Sequence, residues 1–429
     1  MNIPRLVSIH IDMKPCILTL VFCLLATFTF ADNWPQWRGP IYNGVSTEQG
    51  LPLEWGEGKN VAWKLELPGG SSATPVVWGG NIFLMVQAEK QISLLCVSTA
   101  GKILWAAKVA DSRGKGGNEK TLASPSPSTD GKRVYTMTGA GEVVAIDFSG
   151  KEAWRFNAQE RYGKFRYGFG YHTTPLLHAG RLYLQLIHSG GAWVVAIDAA
   201  NGKEIWKVER SSDGVAECEH SYTSPCLWRD GKQARLITHG NDYAVGHRLT
   251  DGKEMWRVAE LNPKARYNRT LRFVSSPVAT PGLIVIPSAK GRGVVGLKPG
   301  ASGLILPGNK GEQWRLTRGT PDVVSPLIYG KEVYLNRENG LIICLDAATG
   351  EQHYSERAHA QTYRASPVAA DGKIYVTARD GTVSVLKAGP KFEVLAKNKI
   401  ADSLTASPAL SNGRIYLRGF KALYAIGKK

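Results

Sequence analysis

A Ser-Pro or Thr-Pro step recurs eight times in this 429-residue chain, at Pro75, Pro127, Pro175, Pro225, Pro277, Pro326, Pro367 and Pro408. Successive steps lie 41 to 52 residues apart, a period at which repetition means a solenoid, an array or a propeller. The segment from Thr174 to Trp206 holds one unit. TPLLHAGRLYLQLI carries two apolar runs about an Ala-Gly turn, and GGAWVVAID adds a third run ending at Asp198. Asn201-Gly202-Lys203 then turns the chain into a fourth run closed by Trp206. Val, Ile, Leu, Tyr and Trp fill the runs while Gly, Asn and Asp fill the gaps, the composition of pleated strands joined by tight turns. Beyond the N-terminal segment no stretch sustains a 3.6-residue apolar period, which excludes a helical repeat. Four short strands per unit predict an all-β chain, an eight-bladed β-propeller of four-stranded blades.

The same register returns in VVAIDFSGKEAW at Trp154, GHRLTDGKEMW at Trp256 and CLDAATGEQHY at Tyr354, and more loosely around Trp105 and Trp314. A Trp four residues after the turn glycine is placed to lie flat between neighbouring blades, where a large planar side chain buries much apolar surface. The seventh repeat lacks this Trp, and Phe392 or Val394 is expected in its place. Chains of this length usually divide into several domains. A propeller gives each pair of blades its own core layer, so residues 60–429 read as one domain. The eighth repeat stops one strand short at Ala425-Ile426, whereas the run from Asn60 to Leu65, with Trp63, stands before the first Pro step. That run is expected to complete blade eight and close the ring, removing an open sheet edge.

At the N-terminus, Lys14 precedes an apolar run from Ile17 to Phe30, and Thr29-Phe30-Ala31 offers small residues where a signal peptidase cuts. Residues 1–31 are therefore expected to be a signal peptide, with Met13 as an alternative start. The run is too short to span a bilayer comfortably, so the mature chain is expected to be periplasmic or secreted, without a transmembrane anchor. Residues 32–59, with Trp34, Trp37 and Trp55, form an N-terminal arm expected to wrap the propeller's side or to act as a docking surface. Cys96 and Cys344 occupy the strand position of Ala145 and Ala196 and read as small buried hydrophobes. Cys218 and Cys226 flank the entry to blade four, where extended chain between them would hold them apart and disfavour a disulfide. The formal net charge of +17 is spread over turns such as 113–115, 161–166 and 290–292, a solvated surface that attracts acidic partners without forming a specific nucleic-acid site. Gly291-Arg292-Gly293-Val294-Val295-Gly296 matches GxGxxG but falls on a turn and third strand, not at the start of a helix in a βαβ unit.

The pattern Ala-x-Asp-x-x-Gly-Lys-x-x-Trp at Ala145 to Trp154, repeated with one extra residue at Ala196 to Trp206, resembles the pyrroloquinoline quinone (PQQ)-like eight-bladed propeller superfamily. The opening Asn33-Trp34-Pro35-Gln36-Trp37-Arg38-Gly39-Pro40 and the ending Arg414-Ile415-Tyr416-Leu417-Arg418 are similar to a secreted bacterial, planctomycete-type branch of it. The resemblance covers nearly all of residues 33–427 and is specific for fold, because the repeated residues are a packing device. It implies two different activities. Quinoprotein alcohol dehydrogenases hold PQQ and calcium at the end of the axis, with the quinone between a Trp and a disulfide of adjacent cysteines. This chain has no adjacent cysteines. The lipoprotein of the outer-membrane β-barrel assembly machinery has eight plain blades and works as a noncatalytic scaffold, and this chain lacks its lipid-attachment cysteine.

Residues just before each Pro step crowd round one mouth of a propeller's channel. They include His172, Glu219, His220, Tyr222, Arg272, Asp322 and Arg364, a polar set able to take an anionic ligand or a metal. No pair among them has a spacing that dictates metal ligation. The expected function is that of an exported noncatalytic binding or scaffold protein for an unidentified protein or small-molecule ligand. The alternative is a PQQ- and calcium-dependent dehydrogenase of alcohols or sugars, with Glu219 or Asp322 as the base. A sugar or peptide binder using the aromatic loop from Tyr162 to Tyr171 is a third reading, inseparable from the first by sequence.

Overall fold

The computed structural model describes residues 33–428 apart from 57, 113–120 and 290, together with Met1. The expected signal peptide and the basic residues Arg113, Lys115 and Lys290 lie outside the described residues. Ala31–Lys429 forms one compact unit, built from eight sheets of short antiparallel strands that make an eight-bladed β-propeller. Blade one runs through Val76–Trp78, Asn81–Gln87, Gln91–Ser98 and Ile103–Asp111, and each later blade repeats that order outward from the axis. In blade eight, Ala409–Ser411, Arg414–Arg418 and Ala422–Ile426 are followed at the outer edge by Val61–Glu66, antiparallel to Ala422–Ile426. Blade four carries a fifth strand, Gly303–Ile305, parallel to Glu254–Val258.

Each residue of the repeat motif has a separable physical task. In blade two Tyr135 pairs with Ala145, which pairs with Trp154. The corresponding trio is Phe83, Cys96 and Trp105 in blade one and Tyr334, Cys344 and Tyr354 in blade six. The middle residue must be small because the outer aromatic leans across it. A methyl group on Gly246 or Gly296 would come within 2.2 or 2.3 Å of the indole of Trp256 or Trp314. The accidental GxGxxG thus ends on a glycine that makes room for Trp314. The Asp closes the turn: Asp147 Oδ1 accepts the Ser149 and Lys151 N–H groups. The turn glycine is the floor for the Trp of the preceding blade. Gly202 has φ +72° and a methyl there would lie 2.8 Å from the Trp154 ring, while Trp154 Nε1 donates to Ala199 O at 3.0 Å. Trp63, Trp105, Trp206 and Trp314 make the same bond to the next blade's turn, at 2.9 to 3.0 Å. Packing and a satisfied indole N–H therefore come from one side chain.

Blade seven departs from the expectation. The trio there is Tyr375, Val385 and Ala396, so Ala396, not Phe392 or Val394, stands at the Trp position, and Phe392 packs on Tyr354 at 5.4 Å instead. The missing ring comes from elsewhere in the chain. Trp55 of the arm is buried with its centroid 6.5 Å from Tyr375 at an interplanar angle of 32°. The in-blade pairs Tyr135–Trp154 and Tyr183–Trp206 lie at 6.0 and 5.9 Å with angles of 38° and 46°.

Residues 34–46 of the arm cross one end of the ring over the innermost strands, and its later part reaches the outermost strand of blade seven, where Asn398 holds Leu53 and Trp55. Trp34 exchanges backbone bonds with Val77 in blade one, and Thr129 of blade two donates to Pro35 O. Tyr42 Oη reaches Leu177 O in blade three, and Gly44 and Ser46 bracket Ala369 in blade seven. The buried Arg38 guanidinium donates to Pro326 O, Pro367 O and Asn43 O at 2.8 to 3.1 Å. Burial lowers its pKa to about 10, which leaves it a cation at neutral pH.

Candidate functional site

The residue before each proline is held extended by the ring that follows it, and its peptide N–H points at the next blade. That group would be a buried orphan without an acceptor. The acceptor is the equivalent hydroxyl of the next blade. Thr74 N–H donates to Ser126 Oγ, Ser126 N–H to Thr174 Oγ1, and so on round to Ser366 N–H and Ser407 Oγ, seven bonds of 2.9 to 3.0 Å. The Ser/Thr-Pro step is therefore the fastening between inner strands, and it lines the axis with hydroxyl groups.

Within this girdle lies a cavity of about 450 Å³. Trp37 of the arm forms part of its wall, and the arm's crossing closes that end. The opposite mouth is built from the segments that lead into blades three to seven. His172, Tyr222, Arg272, Asp322 and Arg364 all line the cavity, joined by Phe169. Glu219 and His220 are not among the lining residues. Ala216–Glu219 winds into a 3-10 turn that ends before the extended His220, and His220 Nδ1 meets Tyr222 Oη at 3.4 Å. Trp37, Val274, Val323 and the Ser/Thr-Pro hydroxyls are lining residues that the sequence reading did not assign to the mouth, whereas Phe169 belongs to the aromatic loop it singled out. The repeat marker contained those hydroxyls; nothing periodic marks Trp37.

The mouth carries two arginines, Arg272 and Arg364. Arg272 stacks 4.4 Å over the exposed Phe169 ring and lies 3.6 Å from Glu217. Asp322 is the one carboxylate on the described lining, its Oδ1 buried without a hydrogen-bond partner among the described residues. Arg272 and Arg364 stand on the same lining, Arg272 facing Glu217 as well. His172 Nε2 donates to Phe169 O at 2.8 Å, and burial holds its pKa below the usual histidine value. Burial likewise depresses His220, and His188 behind it falls to about 4. At neutral pH these imidazoles are uncharged.

The residues present do not fit a quinone held with calcium. Cys96, Cys218, Cys226 and Cys344 are buried free thiols, none of them on the cavity wall, so no sulfur pair faces Trp37. A calcium ion takes six to eight oxygen ligands, and a mouth of one carboxylate beside two arginines opposes it. Among the described residues no three His, Cys, Asp or Glu side chains gather to hold a metal ion, and no helix is long and apolar enough to cross a membrane.

Known structures share this architecture. BamB from Moraxella catarrhalis superposes with a TM-score of 0.60 at 13% identity, over 85% of this chain and 98% of that one. The quinohemoprotein alcohol dehydrogenase of Comamonas testosteroni gives 0.69 at 14% identity, over 92% of this chain and 81% of that one. A computationally designed protein, Ika8, gives 0.55 at 12% identity, over 85% and 99%. At such identities the likeness is one of fold. No curated protein matches the sequence. The repeats themselves do match a family model, over residues 90–301 and 306–390. With its repeats matched over most of the propeller, the chain belongs to the family described as outer membrane protein assembly factor BamB.

Proposed function

We propose that this protein is an exported, noncatalytic binding protein, a scaffold whose channel receives a ligand or a protruding group of a partner at the mouth near Arg272. The observation that carries the reading is the closure of the channel by the arm. A through-channel becomes a concave polar pocket of the size that small ligands use, with Trp37 at the closed end and cations at the open one. Family membership supports a protein partner and a periplasmic location, since the matched description is that of an assembly factor.

The dehydrogenase alternative keeps one candidate base, Asp322, because Glu219 does not line the cavity. Calorimetric titration with PQQ, with and without calcium, separates the two readings. A binding protein of this construction gives no saturable calcium-dependent heat. One-to-one binding that is lost in Asp322→Ala would overturn the proposal and restore the dehydrogenase.

A further inference from the structure

The hydroxyls of the girdle are only half used. Each of the seven that accept a peptide N–H spends one lone pair, and a hydroxyl carries one proton and two lone pairs. No protein acceptor takes the Ser276, Ser325 or Ser366 hydroxyl proton among the described residues. The wall therefore offers both donors and acceptors around the axis, which suits a ligand that itself carries several hydroxyls. A compact anion alone would use only the donors.

The mouth adds two further selections. Arg272, stacked on Phe169 and 3.6 Å from Glu217, holds a planar cation at the lip, and its further N–H donors are fitted to a carboxylate or a sulfate. Phe169 is 55% exposed there, a flat apolar face of the kind on which a sugar ring's C–H surface rests. The net charge of +17 draws the same class of molecule toward the surface. Accepting the binding-protein reading, we infer that the pocket takes an acidic sugar. The ring hydroxyls of the sugar enter the Ser/Thr girdle, and its carboxylate or sulfate stays at Arg272.

The test is calorimetric titration of the full chain with galacturonate, galactose 6-sulfate and neutral galactose, each raised to about 10 mM so that millimolar affinity is still seen. The acidic sugars are expected to bind one to one, with galactose at least about tenfold weaker, the size of one charge-assisted contact. Arg272→Gln is expected to remove that difference, the two acidic sugars falling to the affinity that galactose has for the same variant. Ser276→Ala is expected to weaken all three, and the lip variant decides the matter if the girdle variant fails to fold, because Arg272 fastens no blade. A carboxylate arm stronger than the sulfate arm, or the reverse, identifies the acid. Galactose binding as tightly as galacturonate, or no sugar binding at all, would overturn the ligand class and leave the binding-protein reading standing. That reading falls only on calcium-dependent PQQ binding.

Discussion

Trp55→Ala tests whether the arm supplies blade seven with its missing aromatic. Fully burying an aromatic side chain removes about 150–250 Å² from water, about 4–6 kcal/mol at about 25 cal/mol per Å². One term opposes this: the Trp55 indole N–H is buried with no acceptor among the described residues. Removing an orphaned donor returns about 1–3 kcal/mol. The expected net loss is therefore about 3 kcal/mol, the low end for Trp→Ala in a core. The backbone anchors survive the substitution, since Trp55 N–H donates to Asn398 Oδ1 at 2.9 Å and Asn398 Nδ2 donates to Leu53 O at 3.0 Å. The cavity thus stays open instead of collapsing. Ala396 stands where other blades carry the Trp, so Ala396→Trp in the Trp55→Ala background is expected to recover most of the loss. In the native background it overpacks the seam and destabilises. Urea denaturation followed by far-UV circular dichroism reads all three variants. A loss below about 1 kcal/mol in Trp55→Ala, or a double variant no more stable than the single one, would refute the assignment.

Acid is expected to destabilise the fold well above the carboxylate range. Burial lowers His188 and His247 to about 4 and His239 to about 3, so the native state leaves them neutral while the unfolded chain protonates near 6.5. Stability is therefore complete above about 6.5 and falls as pH drops toward 4. The slope approaches about 4 kcal/mol per pH unit if all three act. Denaturation midpoints measured from pH 7.5 to 4.5 check this, and a flat profile would show that the three imidazoles are hydrated. Deleting residues 60–67 removes the outer strand of blade eight and the Trp63 indole bond to Thr99 O. The variant is expected to lose cooperative unfolding in calorimetry, and a native-like transition would show that ring closure contributes little.

The repeat was legible because each blade obeys the same local rule. Ala145, Asp147, Gly150 and Trp154 sit at fixed offsets, and each has one task that a sequence can express: room, turn closure, floor and wedge. Five mouth residues, His172, Tyr222, Arg272, Asp322 and Arg364, were legible because the three to five residues before a proline lead into an innermost strand beside the axis. Glu219 and His220 lie six and five residues before Pro225 and are not on the wall: Glu219 ends a 3-10 turn and His220 faces Tyr222.

The arm was opaque for the opposite reason. It obeys no period, and its decisive contacts join residues far apart in the chain: Arg38 to Pro326 and Pro367, and Asn398 to Leu53. Three tryptophans in a strandless segment gave no sign of their separate destinations. Trp34 is bridged to blade one, Trp37 reaches the channel wall, and Trp55 fills blade seven. An element that completes other units must be read from what those units lack. The clue was the absent Trp of the seventh repeat, a gap that the sequence displays at Ala396 and that only the fold connects to Trp55. The same segment lines the channel at Trp37, held there by anchors of its own at Arg38, Gly44 and Ser46.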